Sequence, residues 1–405
     1  MQTRISPHII KTTAGQTADR ILRNCVHCGF CTATCPTYQI LGDELDSPRG
    51  RIYLIKQLLE GARATSKTRR HLDRCLTCRS CETTCPSGVE YAHLLDIGRE
   101  LVKQQTRRPL HQALLRQLLL WALPQPKRFH RLIKLANRVR FLLPTKIKQS
   151  IPVIQAGADW PTATHARKIL LLEGCVQPSL SPEINTATAR LLDSVGIETQ
   201  RIAQSCCGAL AHHLTATAQS LNTVKNNIDS WWPFIEQGIE AIVSNASGCG
   251  VMVKDYGHLL ATDRTYADKA ARISSLCKDI SEILLQENIK TVAGKKRIAF
   301  QSPCTLQHGQ QLDGVVEQIL EKAGFELVPY TDKHLCCGSA GTYSITQRKL
   351  SQQLLSNKLG HLLHNRPELI ATANIGCLLH LRSRSPVPVM HWVELLETQT
   401  TGPNK

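Results

Sequence analysis

The sequence predicts an α+β protein, a helical N-terminal domain followed by a duplicated α/β domain. Three observations predict it. Two runs of four cysteines share one spacing near the N-terminus and flank an amphipathic helical stretch. A pattern of apolar strand, helix and cysteine recurs in the second half at an offset of 128 to 130 residues. Between these regions Leu101 to Ala158 holds twelve Lys and Arg and no Asp or Glu. A chain of 405 residues exceeds one ordinary core, so several domains are expected. The boundaries read as 15–100 for the helical domain, 101–164 for basic helices and a linker, and 165–290 and 291–400 for the two repeats.

The first cysteine run is Cys25, Cys28, Cys31 and Cys35 before Pro36, and the second is Cys75, Cys78, Cys81 and Cys85 before Pro86. Three thiolates so spaced wrap one face of a cubane cluster, and the fourth ligates the neighbouring cluster in two-cluster ferredoxins. This assigns Cys25, Cys28, Cys31 and Cys85 to one 4Fe–4S centre, and Cys75, Cys78, Cys81 and Cys35 to the other. Zinc favours separated Cys-x2-Cys pairs instead, and disulfides need an oxidising compartment. Ile52, Ile55, Leu58 and Leu59 repeat at helical period, with Asp46 or Ser47 ahead of Pro48 suited to the helix start. Tyr91, Leu94, Leu95 and Leu101 mark a second helix. The domain therefore reads as helical, two-cluster and ferredoxin-like.

In the basic stretch, Phe129, Leu132, Ile133, Ala136, Val139 and Leu143 follow helical spacing, while Arg128, Arg131, Lys134 and Arg138 take a different face. Such a helix suits a membrane surface or a docking partner, with a plain solvated helix as the alternative. No nucleic-acid module accompanies the charge of +17, and aromatics are only 4%, so nucleic acid is not an expected partner. A linker follows around Pro144, Pro152 and Pro161. The N-terminus has no apolar signal region, and the run Leu118 to Leu123 is far short of the ~20 residues of a membrane span. Most of the 17 cysteines have ligand-like spacing. A cytoplasmic protein is expected, with peripheral attachment to the inner face of the membrane as an option.

In the repeat, Lys168–Cys175 corresponds to Arg297–Cys304, each a buried-strand pattern ending at a cysteine. A helix follows each and closes at Gly196 or Gly324, and then come Cys206-Cys207-Gly208 and Cys336-Cys337-Gly338. A longer helical pattern leads to a second strand, Ala241–Ser244 or Leu369–Ala373, ahead of Cys249 or Cys377. Alternating strands and helices imply a parallel sheet in each copy, or one shared between them. Ligands gather at strand carboxyl ends, so Cys175, Cys206, Cys207 and Cys249 should converge, as should Cys304, Cys336, Cys337 and Cys377. Adjacent cysteines suit a multinuclear cluster better than one zinc ion, and the glycine allows a tight turn. Cys277 has no counterpart and reads as a packing residue.

Two cysteine runs followed by two Cys-Cys-Gly domains resemble the iron–sulfur subunits of flavin-dependent 2-hydroxyacid and glycerol-3-phosphate dehydrogenases. The segment LGDELDSPRGRIYLIKQLLEG and the sequence VSNASGCG around Cys249 resemble the glycolate oxidase iron–sulfur subunits in particular. The resemblance implies an electron-transfer subunit without catalytic residues of its own. FAD on partner subunits would oxidise glycolate to glyoxylate, or D-lactate to pyruvate, and electrons would pass through two 4Fe–4S clusters to a quinone or another acceptor. In heterodisulfide-reductase-type subunits a further cysteine stands three residues before the last one. Here those positions are Ala246 and Asn374, against a non-cubane cluster. Four thiols per repeat leave open a conventional further cluster, a structural role facing the quinone, or metal-free redox chemistry. Anaerobic glycerol-3-phosphate or L-lactate oxidation, and disulfide reduction, are the alternative functions.

Overall fold

The computed structural model describes residues 1–142, 159–202, 205–289 and 296–400, without the side chains of 142 and 398–400. Leu143, Pro144, Pro152 and the expected 290/291 boundary lie outside the described residues.

The N-terminal region is helical. Ser47, rather than Asp46, starts the helix Pro48–Leu59: its Oγ accepts from the Gly50 amide at 2.9 Å, and Pro48 occupies the first turn. Ile52, Ile55, Leu58 and Leu59 are buried on one side of it, against Leu94, Leu95 and Val102 of the helix Tyr91–Gln105. The two helices pack closely because Gly98 has no side chain; a Cβ there would lie 2.5 Å from Ile55 Cγ1. Each fully buried Leu or Ile in this core is worth roughly 1.5–3 kcal/mol relative to an exposed one. Cys25, Cys75 and Cys81 belong to the same core.

The second half forms two separate four-stranded sheets, parallel throughout. The first runs in the order β2-β1-β3-β4, from Arg167–Leu172 (β1), Ile197–Gln200 (β2), Ala241–Ser244 (β3) and Cys277–Asp279 (β4). The second repeats it as β6-β5-β7-β8, from Arg297–Gln301 (β5), Glu326–Leu327 (β6), Leu369–Thr372 (β7) and Val389–His391 (β8). Strand alternation divides the first sheet's core. Ile169, Leu171 and Val243 face a cluster continuous with the second repeat, whereas Leu170, Leu172 and Ile242 pack with Val224, Ile228 and Trp231 of the helix Thr217–Glu236. The repeats interlock where His391 Nε2 meets Asn245 O at 2.9 Å and the Ser247 amide donates to Ala373 O.

The short outer strands β2, β4, β6 and β8 are not in the sequence reading. They run only two to four residues, too few for an apolar pattern to register. Cys277 opens β4 and is 2% exposed, a packing residue as expected.

Candidate iron–sulfur centres and their surroundings

The two cysteine runs fold as matching loop–helix turns. His27 and Gly29 in the first, and Thr77 and Arg79 in the second, take positive φ, which winds the backbone tightly around the thiols. One cavity of about 440 Å³ is lined by Cys25, Cys28, Cys31 and, from the other run, Cys85. A second, of about 370 Å³, is lined by Cys75, Cys78, Cys81 and the crossed Cys35. The cavities adjoin, sharing Pro48, Cys81 and Tyr91 in their walls. The expected fourth residue of each set is therefore at its expected cavity. Both spaces suit a thiolate-ligated group. Burial pushes the Cys31 thiol up to about 11 and the Cys78 and Cys81 thiols well above their ordinary value. A bound metal is what would ionise them.

Sequence reasoning missed Arg51, which is 1% exposed beside the second cavity. Its guanidinium donates to His71 O at 2.8 Å, Thr37 Oγ1 at 3.1 Å and Asp46 Oδ1 at 3.2 Å. Asp46, fully buried, also receives Arg74 at 2.7 Å. Thr37 Oγ1 lies 3.3 Å from Cys35 Sγ, and Tyr91 Oη donates to Cys75 Sγ at 3.6 Å. A cation and hydroxyls beside cluster sulfurs raise a reduction potential. The signal was faint: an arginine amid apolar helix positions reads from sequence as a surface residue.

Both Cys-Cys-Gly sites gather their four thiols. In the second repeat Cys304 Sγ lies 3.8 Å from Cys336 Sγ, and Cys337 Sγ 3.3 Å from Cys377 Sγ. In the first, Cys175 meets Cys206 and Cys207 meets Cys249. Gly208 and Gly338 take φ of 92° and 89°, and their amides donate to the sulfurs of Cys206 and Cys336 at 3.4 Å. At Gly338 a Cβ would lie 2.6 Å from Ser351 O. The Asn374 amide, where the other subunit type has cysteine, donates to Cys377 Sγ at 3.7 Å.

The two sites differ in charge. Asn227, seven residues after Ser220, donates to Cys206 O and Tyr256 Oη in the first repeat. Lys358, seven after Ser351, takes that place in the second; it is 2% exposed and donates to the carbonyls of Asp332 and Lys333. Burial lowers Lys358 to about 8, with the thiols of Cys337, Cys336 and Cys304 opposing that fall. The second site also adjoins the cavity of the second run, since Cys78 and Leu76 pack with Cys304, Cys336 and Tyr343.

The 4Fe-4S dicluster domain model matches residues 21–89, and the Cysteine-rich domain model matches 169–254 and 298–382. The Glycolate oxidase iron-sulfur subunit of Escherichia coli is 52% identical over 98% of both chains. This chain belongs to the glycolate oxidase iron–sulfur subunit family. It is thus an iron–sulfur electron-transfer subunit of an oxidoreductase. Within the same family, the Probable glycolate oxidase iron-sulfur subunit of Bacillus subtilis is 30% identical over 89% of this chain and 88% of its own. Lactate utilization protein A of Bacillus licheniformis is 25% identical, over 57% of this chain and its whole length. A hypothetical protein from Helicobacter pylori shares the fold, with a TM-score of 0.57 at 9% identity over 97% of this chain and 74% of its own.

The basic helix spans Pro126–Arg138. Arg131, Lys134 and Arg138 are exposed, and none forms an ion pair with a described residue. Arg128 instead lies over the Trp121 ring at 4.6 Å and donates to Trp121 O. The preceding helix, Leu110–Ala122, presents Leu110, Leu114, Leu118 and Trp121 to solvent along one face, between 49% and 82% exposed. The sequence reading missed this stripe because it sought a span-length run rather than an unpartnered face. No described helix is long and apolar enough to cross a membrane.

Proposed function

We propose that Cys25, Cys28, Cys31 and Cys85 hold one 4Fe–4S cluster and that Cys75, Cys78, Cys81 and Cys35 hold the other, as links between a flavin and a terminal acceptor. The single observation that carries this is the exchange of Cys35 and Cys85 between two adjoining cavities. When bound, the clusters supply one-electron steps between a two-electron donor and the acceptor. The chain's own residues hold them close together, keep water from Cys25, Cys75 and Cys81, and place Arg51 and the Tyr91 hydroxyl beside the second.

The donor is a partner FAD subunit that oxidises glycolate to glyoxylate, or D-lactate to pyruvate, in keeping with the name of the Escherichia coli relative. The acceptor is a quinone. A third centre is better supported at Cys304, Cys336, Cys337 and Cys377 than at Cys175, Cys206, Cys207 and Cys249. The former adjoins Cys78 and has Lys358 to offset thiolate charge. The exposed Leu110–Trp121 stripe beside Arg131, Lys134 and Arg138 supports peripheral attachment to an anionic membrane face from the cytoplasm.

Anaerobic purification with iron and sulfide counting tests the reading. Two clusters require about eight of each, and a third centre about twelve. A zinc content with no sulfide would sink it.

A further inference from the structure

A cleft of about 560 Å³ opens where the N-terminal domain meets both repeats, and apart from Cys78 it holds none of the expected site residues. Its wall holds Cys78 and Arg79 from the second run, His93 and Asp96 from the helix Tyr91–Gln105, and His212, His213, Asp255 and His258 from the first repeat. Val251, Met252 and Leu259 supply apolar surface.

Charge in this wall is already neutralised. His212 Nε2 meets Asp96 Oδ2 at 2.8 Å, and Arg79 pairs with Asp255. Burial disfavours the charged His212, but Asp96 more than offsets it and raises its pKa. An anion such as a carboxylate substrate would find no free cation among these paired groups. His93 is different. Its ring stacks on His258 at 3.7 Å, and both its nitrogens are buried with no hydrogen-bond partner among the described residues. The nearest carboxylate oxygen, Asp255 Oδ1, is 4.0 Å away, too far for a hydrogen bond. A buried polar group left so calls for a ligand. The helix that carries the apolar stripe is tied to the first repeat close in sequence to the cleft residues His212 and His213: Arg116 donates to Leu214 O, and Gln219 to Leu120 O.

We propose that this cleft is where a neutral, lipid-soluble quinone is bound and reduced, with His93 bonding one ring carbonyl. The inference rests on the reading that Cys78 holds a cluster. The quinone gains two electrons in two one-electron steps from the cluster that Cys78 holds, which the neighbouring cluster at Cys25, Cys28, Cys31 and Cys85 re-reduces between the steps, so that both clusters end one electron more oxidised. It gains two protons, drawn from water through the cleft, and leaves as quinol. A flat neutral ring with two acceptor oxygens fits imidazole donors among Val251, Met252 and Leu259.

The test uses the full, cluster-loaded protein and a short-chain benzoquinone. Calorimetry on the oxidised protein should show binding that weakens about tenfold in His93→Leu, where a hydrogen bond is lost. It should weaken at least as much in Leu259→Trp, which fills the cleft, and recover in part in His93→Gln. After anaerobic reduction, quinone should reoxidise either variant at least tenfold more slowly than the unaltered protein. Ferricyanide should reoxidise all of them alike, and the paramagnetic resonance of both clusters should match. If one variant fails to load clusters, the other decides. Unchanged quinone binding and reoxidation in a cluster-loaded variant overturns the site. Unaltered protein that ferricyanide reoxidises but quinone neither binds nor oxidises also overturns it, while leaving the cluster assignment standing. Absence of cluster iron in the unaltered protein overturns that assignment first.

Discussion

Cys35 and Cys85 each sit at the cavity of the opposite run, so each should serve the other run's cluster. Cys35→Ser is expected to perturb the resonance of the cluster at Cys75, Cys78 and Cys81, and Cys85→Ser that of the cluster at Cys25, Cys28 and Cys31. Damage confined to each mutant's own run would refute the crossed assignment. Arg51 supports a second prediction. Its buried positive charge stabilises the more negative, reduced state of a neighbouring cluster. A unit charge at about 8 Å in an effective dielectric near 20 is worth about 2 kcal/mol, or roughly 90 mV for a one-electron couple. Arg51→Gln should therefore lower the potential of the second cluster by about that amount in a redox titration followed by paramagnetic resonance. An unmoved potential would show that Asp46 and Arg74 already balance the site. The cysteines were legible because ligand spacing is local. Arg51 and Lys358 were not, because a buried cation is recognised only by what the fold puts around it.

At the level of elements, the helices Leu110–Ala122 and Pro126–Arg138 combine an open apolar face with the exposed Arg131, Lys134 and Arg138, which form no ion pair among the described residues. Each Lys or Arg near an anionic membrane is worth about 1 kcal/mol, so replacing Arg131, Lys134 and Arg138 by Gln should weaken binding to anionic vesicles about 150-fold at low salt. Replacing Leu114 and Leu118 by Ser should remove the part of binding that survives high salt. Sedimentation with vesicles at two ionic strengths separates the contributions. If vesicle binding persists while association with the flavin subunit is lost, the face docks protein instead. The charged spacing was visible in the sequence. That Arg128 turns back onto Trp121, and that Leu110, Leu114 and Leu118 stay uncovered, depended on which neighbours the fold supplied.

Across the whole molecule, the second N-terminal cavity, the second Cys-Cys-Gly site and the histidine-lined cleft meet around Cys78. In a complex with the flavin subunit, Cys78→Ala should leave glycolate-driven flavin bleaching intact yet abolish turnover with quinone. Loss of bleaching in an assembled complex would place substrate chemistry on this chain. Stripping the clusters should loosen the N-terminal domain first, because Cys25, Cys75 and Cys81 are part of its core, whereas the two sheets keep cores of their own. Calorimetry of the stripped protein should then show an early transition missing from the loaded one. A single unshifted transition would contradict this.

The sequence by itself determined what depends on neighbours along the chain. It set the two cysteine runs and their crossed fourth residues, the helix Pro48–Leu59 with its proline start, the doubled strand–helix order, and the glycine after each cysteine pair. These follow from ligand spacing, hydrophobic period and backbone freedom, all short-range. Tertiary structure alone decided that each repeat closes its own sheet with short outer strands. It also decided that Lys358 stands where Asn227 does in the other copy. Above all it brought His93 and Cys78 around one cleft with His212 and His258, which lie more than a hundred residues further along the chain. No local pattern encodes such a meeting, because it arises only when separate hydrophobic faces are buried against one another.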